Sequence, residues 1–465
     1  MRQLTGLDAS FVYVEGPRTP MHIGSIAIYD PSTAPGGKVT FKGILEHITT
    51  RSPLVKSYRE KLVRVPFDLD LPYWIEDADF DLEFHVRHIA LPKPGDWRQL
   101  CIQAARLHAR ELDLDRPLWE FYVIEGLDNV EGVPKGSFAL VSKIHHAAID
   151  GVSGAEMTAI IHDDTPDAPA PVVEDNYRPE AVPGPMNLLT RATINNMTQP
   201  VKFVRLVRRT ALNTLRNAGA LRDALPAAPR TRFSSTITAH RVVDGRAFDL
   251  AKIRKIKSAI PGATVNDAIV AIVTGALRKY LEASKELPDM PMVAMAPISV
   301  RTTDESGSMG NQVSAMLVSL PTTIADPLER LRAVYESTQS SKETTNAIGA
   351  RTLSDYTQFV PWALAGLAAR TASRFSLANR ASMPINTVIT NVPGPQQPLY
   401  MAGAQMVALF GMGPVTDGMG IIHPVFSYNG TITVSFTSCR EMLPDPARYA
   451  ECLQESFDEL YEATT

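Results

Sequence analysis

Pro166, Pro169, Pro171, Pro179, Pro183 and Pro185 crowd the interval from Asp164 to Pro185, among acids and few large apolar residues. Each proline fixes φ and removes a backbone donor, so this stretch can neither pair inside a sheet nor continue a helix. It divides the 465-residue chain into residues 1–165, a linker over 166–232 and a C-terminal part over 233–465. Both outer parts are long enough to bury a core. With 45% hydrophobic and 21% charged residues, a disordered, collagen-like or coiled-coil chain is excluded.

The two outer parts share one grammar, strands interleaved with helices. In the first, Ile23 to Tyr29 reads as a strand, and Lys42 to Thr50 and Gln99 to Leu112 as helices. The apolar runs Trp119 to Ile124 and Ser137 to Ile144 are separated by Gly126, Gly132 and Pro134, a loop between strands. In the second, Leu250 to Ile260 and Asn266 to Ala283 read as helices, and Met292 to Ser299, Gln312 to Leu320 and Thr387 to Asn391 as strands. Asn429-Gly430 between Ile421 to Tyr428 and Thr431 to Thr437 predicts a hairpin with a type I′ turn. The expected fold class is α/β, two similar halves joined by a long crossover.

Charge and cysteine usage remove several functional classes. Lys and Arg number 46 against 50 acids, a net charge of -4, so no overall basic field recruits nucleic acid. Cys101, Cys439 and Cys452 have no C-x-x-C spacing, which speaks for a reducing cytosol and against a disulfide framework or a thiolate zinc site. Asp8 and Glu15 break the apolar core a signal peptide needs, so export is not expected. The longest apolar stretch, Phe359 to Ala369, is too short to span a bilayer.

The strongest chemical signal follows the run Ser137 to Ile144: His145-His146-Ala147-Ala148-Ile149-Asp150-Gly151. Neighbouring strand residues point to opposite faces, so one imidazole at most faces a common site. Asp150-Gly151 reads as a turn where a strand end meets a helix start. An imidazole beside a carboxylate can serve as a general base near neutral pH. Taken singly, each histidine is read more plainly as a packed residue and Asp150 as a helix N-cap; the combination favours chemistry. No G-x-S-x-G, H-E-x-x-H or phosphate loop accompanies it, and His85 and His88 lack a third ligand nearby, so no metal site is expected. A histidine base without an enzyme nucleophile suits direct attack by a substrate hydroxyl on an activated acyl group.

His145-His146-x-x-x-Asp150-Gly151 resembles the signature of the acyl-coenzyme-A-dependent acyltransferase superfamily that includes chloramphenicol acetyltransferase and peptide-synthetase condensation domains. Further segments narrow the resemblance to the bacterial wax ester synthase/diacylglycerol acyltransferase family: Leu7-Asp8-Ala9-Ser10-Phe11, Pro20 to Gly24, Arg116-Pro117-Leu118-Trp119-Glu120, Val265-Asn266-Asp267, and Asn391-Val392-Pro393-Gly394-Pro395. Thr390 where serine is common, and Phe233-Ser234 after the linker, depart from the pattern. The resemblance implies two chloramphenicol-acetyltransferase-like domains with the active site in a tunnel between them. It implies transfer from fatty acyl-coenzyme A, as co-substrate and with no bound cofactor, to diacylglycerol or a long-chain alcohol. His146 matches the general base, His145 its support, Asp150 the residue that holds the motif's shape and Gly151 the close turn. Pro117, Leu118 and Trp119 match a structural motif, and Asn266, Asp267, Asn391, Pro393 and Gly394 lie on the expected substrate side. Each has a plainer reading: Trp119 as core, Asp267 as part of a helix N-terminus after Thr264, and Pro393-Gly394 as a type II turn.

The -4 average conceals local asymmetry. From Gly184 to Arg222 there are Arg191, Lys202, Arg205, Arg208, Arg209, Arg216 and Arg222 and no acid. Residues 201–216 place Val201, Val204, Ala211, Leu212 and Leu215 at helical spacing, a basic amphipathic helix that suits a membrane or lipid-inclusion surface or, alternatively, packing on the domains. Phe359 to Arg380 is a second candidate. The expected location is cytoplasmic, at the inner face of the plasma membrane or on lipid inclusions. Two other functions stay open on sequence alone: an acyltransferase of specialised metabolism acting on a non-lipid alcohol, and a non-catalytic lipid-binding relative.

Overall fold

The computed structural model describes residues 1–149, 160–173, 177–179, 181–197, 228–299, 313–348 and 383–464, with scattered positions between 365 and 379. Its strands are β1 (His22–Asp30), β2 (Val86–Ala90), β3 (Trp119–Glu125), β4 (Phe138–His145), β5 (Arg241–Asp249), β6 (Met292–Ser299), β7 (Val313–Leu320), β8 (Thr387–Pro393), β9 (Tyr400–Met401), β10 (Ala404–Met412), β11 (Ile421–Tyr428) and β12 (Thr431–Cys439). They form two six-stranded mixed sheets, β9-β10-β1-β4-β3-β2 and β7-β6-β8-β11-β12-β5. A small three-stranded sheet joins Arg2–Gln3, Tyr73–Glu76 and Glu60–Val63.

Both faces of the first sheet are covered. Every residue of β3 but Glu125 is buried. Trp119, Phe121 and Val123 point into a cluster with Ala27, Tyr29 and Leu140. Tyr122 and Ile124 point the other way, onto Leu100, Ala104 and Leu107 of the helix Trp97–His108. Continuous apolar runs such as Trp119 to Ile124 are what a strand buried on two faces requires. The second sheet packs on the helices Leu250–Ser258, Val265–Ala283 and Pro446–Ala463 to build the largest core.

β9 and β10 come from the C-terminal part of the sequence, yet β10 pairs antiparallel with β1 over Gln405 to Met412 and completes the first sheet. The cut at residue 233 therefore separates sequence and not sheets. The Asn429-Gly430 hairpin forms as its dipeptide predicts, with φ of 43° and 77° at the two turn positions. The type II turn expected at Pro393-Gly394 does not form. A type II turn needs a positive φ at Gly394, and Gly394 is not among the positive-φ glycines. β8 instead runs through Pro393, and glycine is needed next because a Cβ there would sit 2.3 Å from the Ser427 carbonyl oxygen.

Buried histidines tie elements together and set the acid response. His108 donates through Nε2 to the Gly413 carbonyl at 3.1 Å, and its own carbonyl accepts from His22 Nε2 at 2.8 Å. His423 lies between Thr387 Oγ1 (3.0 Å) and the Tyr449 hydroxyl (2.7 Å). Burial pushes both His108 and His423 down to about 3. The unfolded chain takes up protons at these sites near pH 6.5, whereas the folded one stays neutral until about pH 3. Stability is therefore complete above pH 6.5 and falls as pH drops below it, by up to about 1.4 kcal/mol per histidine for each pH unit. Urea unfolding at pH 7, 5.5 and 4.5 should show this slope, and His423→Gln should flatten it.

Candidate active site

Along β4, Val141, Lys143 and His145 face one side of the sheet, and Ser142 and Ile144 the other. His145 lies opposite His22 of β1 and is fully buried. Its backbone N–H donates to the Leu118 carbonyl at 2.9 Å, and the Trp119 indole donates to the Tyr58 carbonyl at 2.9 Å. Leu118 and Trp119 are buried, and the Pro117 carbonyl accepts from the Trp119 N–H. This triplet holds the strand end that presents the histidines.

The strand stops because His145 caps the next turn. Its Nδ1 accepts from the Ala147 N–H at 3.1 Å, starting a 3-10 turn over His146–Ala148. A neutral imidazole that accepts at Nδ1 carries its proton on Nε2. That Nε2 faces Glu15 Oε2 at 3.4 Å. The other carboxylate oxygen, Glu15 Oε1, accepts from the Met21 N–H at 3.1 Å, and the Met21 carbonyl accepts from the His146 N–H at 2.9 Å. The Ala147 N–H thus fixes the tautomer of His145, and one buried carboxylate lies against its Nε2 and, through Met21, holds the backbone of His146.

Glu15 is the C-cap of the helix Gly6–Val14, which Thr5 starts by accepting from the Asp8 N–H. One turn earlier on that helix, the Phe11 ring stacks on the His146 ring at 3.9 Å between centroids and 13° between planes. Residues i and i+4 share a helix face, so Phe11 and Glu15 grip the two histidines together. Ala9, Val12 and Tyr13 seat the helix against Leu118, Ala147 and Ala148. His146 itself is half-buried, and burial, with His145 beside it, pushes its pKa down to about 4. Its Nδ1 is buried without a hydrogen-bond partner among the described residues. At pH 7 this imidazole is neutral, the state a general base requires.

On the face of Ser142 and Ile144 lies a cavity of about 50 Å³, its lining drawn from both parts of the sequence: Ile23, Phe121, Ile144 and Ile149 from the first, Leu409 and Phe426 from the second. Two of the lining residues, Ile144 and Ile149, lie two positions before and three positions after His146 in sequence, and His146 itself is not part of the lining. Its lining is mainly apolar; the polar side chains in it are Tyr58, the serines Ser25 and Ser142, whose hydroxyls bond each other at 2.7 Å, and Tyr29 with His162, bonded at 2.7 Å.

The other expected residues form a second cluster. Asn391, at the end of β8, donates through Nδ2 to Asn266 Oδ1 at 3.3 Å. No hydrogen bond or ring contact among the described residues links this pair to the histidines. Asp267 is fully buried, and Oδ2 accepts from the Thr264 N–H and hydroxyl, both at 2.7 Å, while Oδ1 accepts from the Thr338 hydroxyl at 2.6 Å. Its carboxylate is committed to the capping box of the helix Val265–Ala283. Asp267→Ala should therefore lower stability by about 2 kcal/mol, measured by urea unfolding, with turnover per folded molecule little changed. Asp150 and Gly151 lie outside the described residues. His85 is a packing residue: its Nδ1 contacts the Trp119 carbonyl at 2.7 Å and its ring stacks on the indole. Phe11 and Glu15 were not identified as site residues from the sequence; Phe11 closes the Leu7 to Phe11 segment of the family resemblance, and Glu15 has no signal beyond its four-residue spacing from Phe11.

Residues 4–269 match the wax ester synthase/diacylglycerol acyltransferase catalytic domain, and residues 309–461 match the C-terminal domain of the same family. Among curated relatives, a putative diacylglycerol O-acyltransferase of Mycobacterium tuberculosis, Rv1760, is 34% identical over 100% of this chain and 91% of its own length. The probable diacylglycerol O-acyltransferase tgs2 of the same species is 30% identical over 98% of each chain. Among solved structures, the wax ester synthase/diacylglycerol acyltransferase of Marinobacter aquaeolei VT8 superposes with a TM-score of 0.68 at 26% identity, covering 99% of both chains. The starter condensation domain of rhizomide synthetase shares the fold, with a TM-score of 0.54 at 12% identity over 100% of this chain and 94% of its own. The paired α/β sheets, the histidine turn and two family domains spanning most of the sequence make one case: the chain belongs to the wax ester synthase/diacylglycerol acyltransferase family.

Proposed function

We propose that this protein moves a long-chain fatty acyl group from acyl-coenzyme A to the hydroxyl of diacylglycerol or a long-chain alcohol, giving triacylglycerol or wax ester, with His146 as general base. The observation that carries the reading is a neutral, half-buried imidazole stacked on Phe11 at the end of a strand whose neighbouring residue Ile144 lines an apolar cavity. The substrate hydroxyl gives its proton to His146 as its oxygen attacks the thioester carbon. The C–O bond forms, the C–S bond breaks, and the imidazolium returns the proton to the departing thiolate. Atoms and charge balance without an acyl-enzyme or a metal-bound intermediate. His145 and Glu15 hold the base in place, and the apolar cavity receives part of an alkyl chain. Asn266 and Asn391 stand on the acceptor side in this scheme, and Asp150 and Gly151 shape the turn.

The test is release of free thiol from palmitoyl-coenzyme A by purified protein, with dioleoylglycerol and hexadecanol offered in parallel. Turnover with either supports the reading; none with both, from folded protein, removes it. We further infer work at the inner face of the plasma membrane or on lipid inclusions. The acid-free run of basic residues from Arg191 to Arg222 supports this, although the amphipathic span 201–216 and most of Phe359 to Arg380 fall outside the described residues.

A further inference from the structure

Large apolar side chains on the surface concentrate near the start of the linker. The helix over 185–197 leaves Met186, Ile194 and Met197 exposed, at 74%, 59% and 75%. It is docked through Leu188 and Ala192, which pack on Val63, Val65, Tyr73 and Ile75. At 100° per residue, Met186, Thr190, Thr193, Ile194 and Met197 fall on the opposite, outward side.

That outward side is nearly free of polar demand. The Thr190 hydroxyl donates to the Met186 carbonyl and the Thr193 hydroxyl to the Leu189 carbonyl, both at 2.9 Å, so both are satisfied within their own helix. The last turn is tied to a neighbouring loop: Asn196 Nδ2 donates to the Leu69 carbonyl at 2.9 Å, and Asn195 Nδ2 to Asp70 Oδ2 at 2.7 Å. On that loop Phe67 is 88% exposed and Leu69 52%. Phe67 and Asp68 hold φ of 59° and 50°, a conformation that bulky residues seldom adopt. The phenyl ring carried by this strained turn stands in solvent. The acid next to it is engaged, Asp68 Oδ1 lying 3.3 Å from Arg64 Nε.

We propose that the outward face of the helix over 185–197, with the Phe67–Leu69 loop, is a docking surface for an anionic phospholipid bilayer. Charge selects this occupant over an acidic or neutral protein groove. The helix carries no acid and one arginine, and the sequence that follows adds Lys202, Arg205, Arg208, Arg209, Arg216 and Arg222 before the next acid. Methionine, isoleucine and phenylalanine side chains enter the acyl boundary while the exposed Arg191 meets a lipid phosphate. This deepens the reading that the protein works at a lipid surface by naming the residues that touch it. It is independent of which alcohol is acylated.

The experiment is flotation of the full-length protein with vesicles of phosphatidylglycerol and phosphatidylcholine in equal parts. The double variant Ile194→Asp with Met197→Asp should partition at least about tenfold less than the parent protein. Its turnover of a short-chain acyl-coenzyme A with a water-soluble alcohol should be unchanged, which separates failure of docking from failure of catalysis. Flotation equal to the parent overturns the proposal. A second measurement does not depend on how the double variant folds. Cys101, Cys439 and Cys452 are buried, so Ile194→Cys can be labelled selectively with an environment-sensitive dye. Its emission should shift to the blue only when vesicles are added. A dye already dry in their absence overturns the proposal, and sizing of that sample then distinguishes a second copy from the protein's own linker as the cover.

Discussion

Replacing His146 by alanine should lower kcat by roughly 10² to 10⁴ while leaving the fold in place. The side chain is half-buried and its ring contact is with Phe11, so truncation removes one stacking partner and no buried ion pair. Circular dichroism and urea unfolding should show a folded protein with a small loss of stability. The pH profile adds a sharper check. A base must be neutral to accept a proton, and His146 is pushed down to about 4 by burial and by His145. In the parent enzyme kcat/KM should stay level from pH 7 down to about 5 and halve near pH 4. A limb at the ordinary histidine value of about 6.5 would assign the proton to a different group. Unchanged turnover in a folded His146→Ala protein would remove the assignment altogether.

Glu15→Gln should cost about 10 to 10² in kcat with little change in KM. The glutamine oxygen can still accept from the Met21 N–H, so the loop is retained. Its NH₂, however, meets the Nε2–H of His145, donor against donor. Relief requires the imidazole to move its proton to Nδ1, which breaks the bond from the Ala147 N–H and loosens the turn that carries His146. Nitrogen-15 chemical shifts of the His145 ring report the tautomer directly. The expected spectrum has the proton on Nε2 in the parent and on Nδ1, or exchanging, in the variant. A merely structural glutamate would change stability without moving either the tautomer or the balance between kcat and KM.

The parts of this fold that were legible in the sequence are those whose partners lie close by or whose pattern is strict. β6 begins and ends where its apolar run does, and the Asn429-Gly430 dipeptide locates its hairpin. β5 was not recognised because Asp244-Gly245 in Arg241–Asp249 looks like a turn. The chain stays extended there because Gly245 pairs with Ser435 so closely that a Cβ on it would sit 3.0 Å from the Ser435 Cα, and Asp244 accepts from the Trp97 indole at 2.8 Å. β10 was missed for another reason: its apolar residues serve both faces, and its partner β1 is more than 370 residues away. The site divides in the same way. His145 and His146 announce themselves as a pair at a strand end. Glu15 and Phe11 do not, because their work depends on a helix far from the motif in sequence, and nothing local marks a buried glutamate as an orienting group.

The crossing of β10 into the first sheet also bears on how the chain is made. While a ribosome synthesises residues 146 to 412, the edge of β1 that will pair with β10 has no strand to meet, and at about 5–20 residues per second this lasts on the order of ten to fifty seconds. During that interval the nascent first half presents an open, apolar strand edge, the feature most prone to pairing with the wrong chain. Completion of the sheet is a late, long-range closure, so the cellular yield of this protein depends on what shields that edge as well as on the stability of the finished molecule.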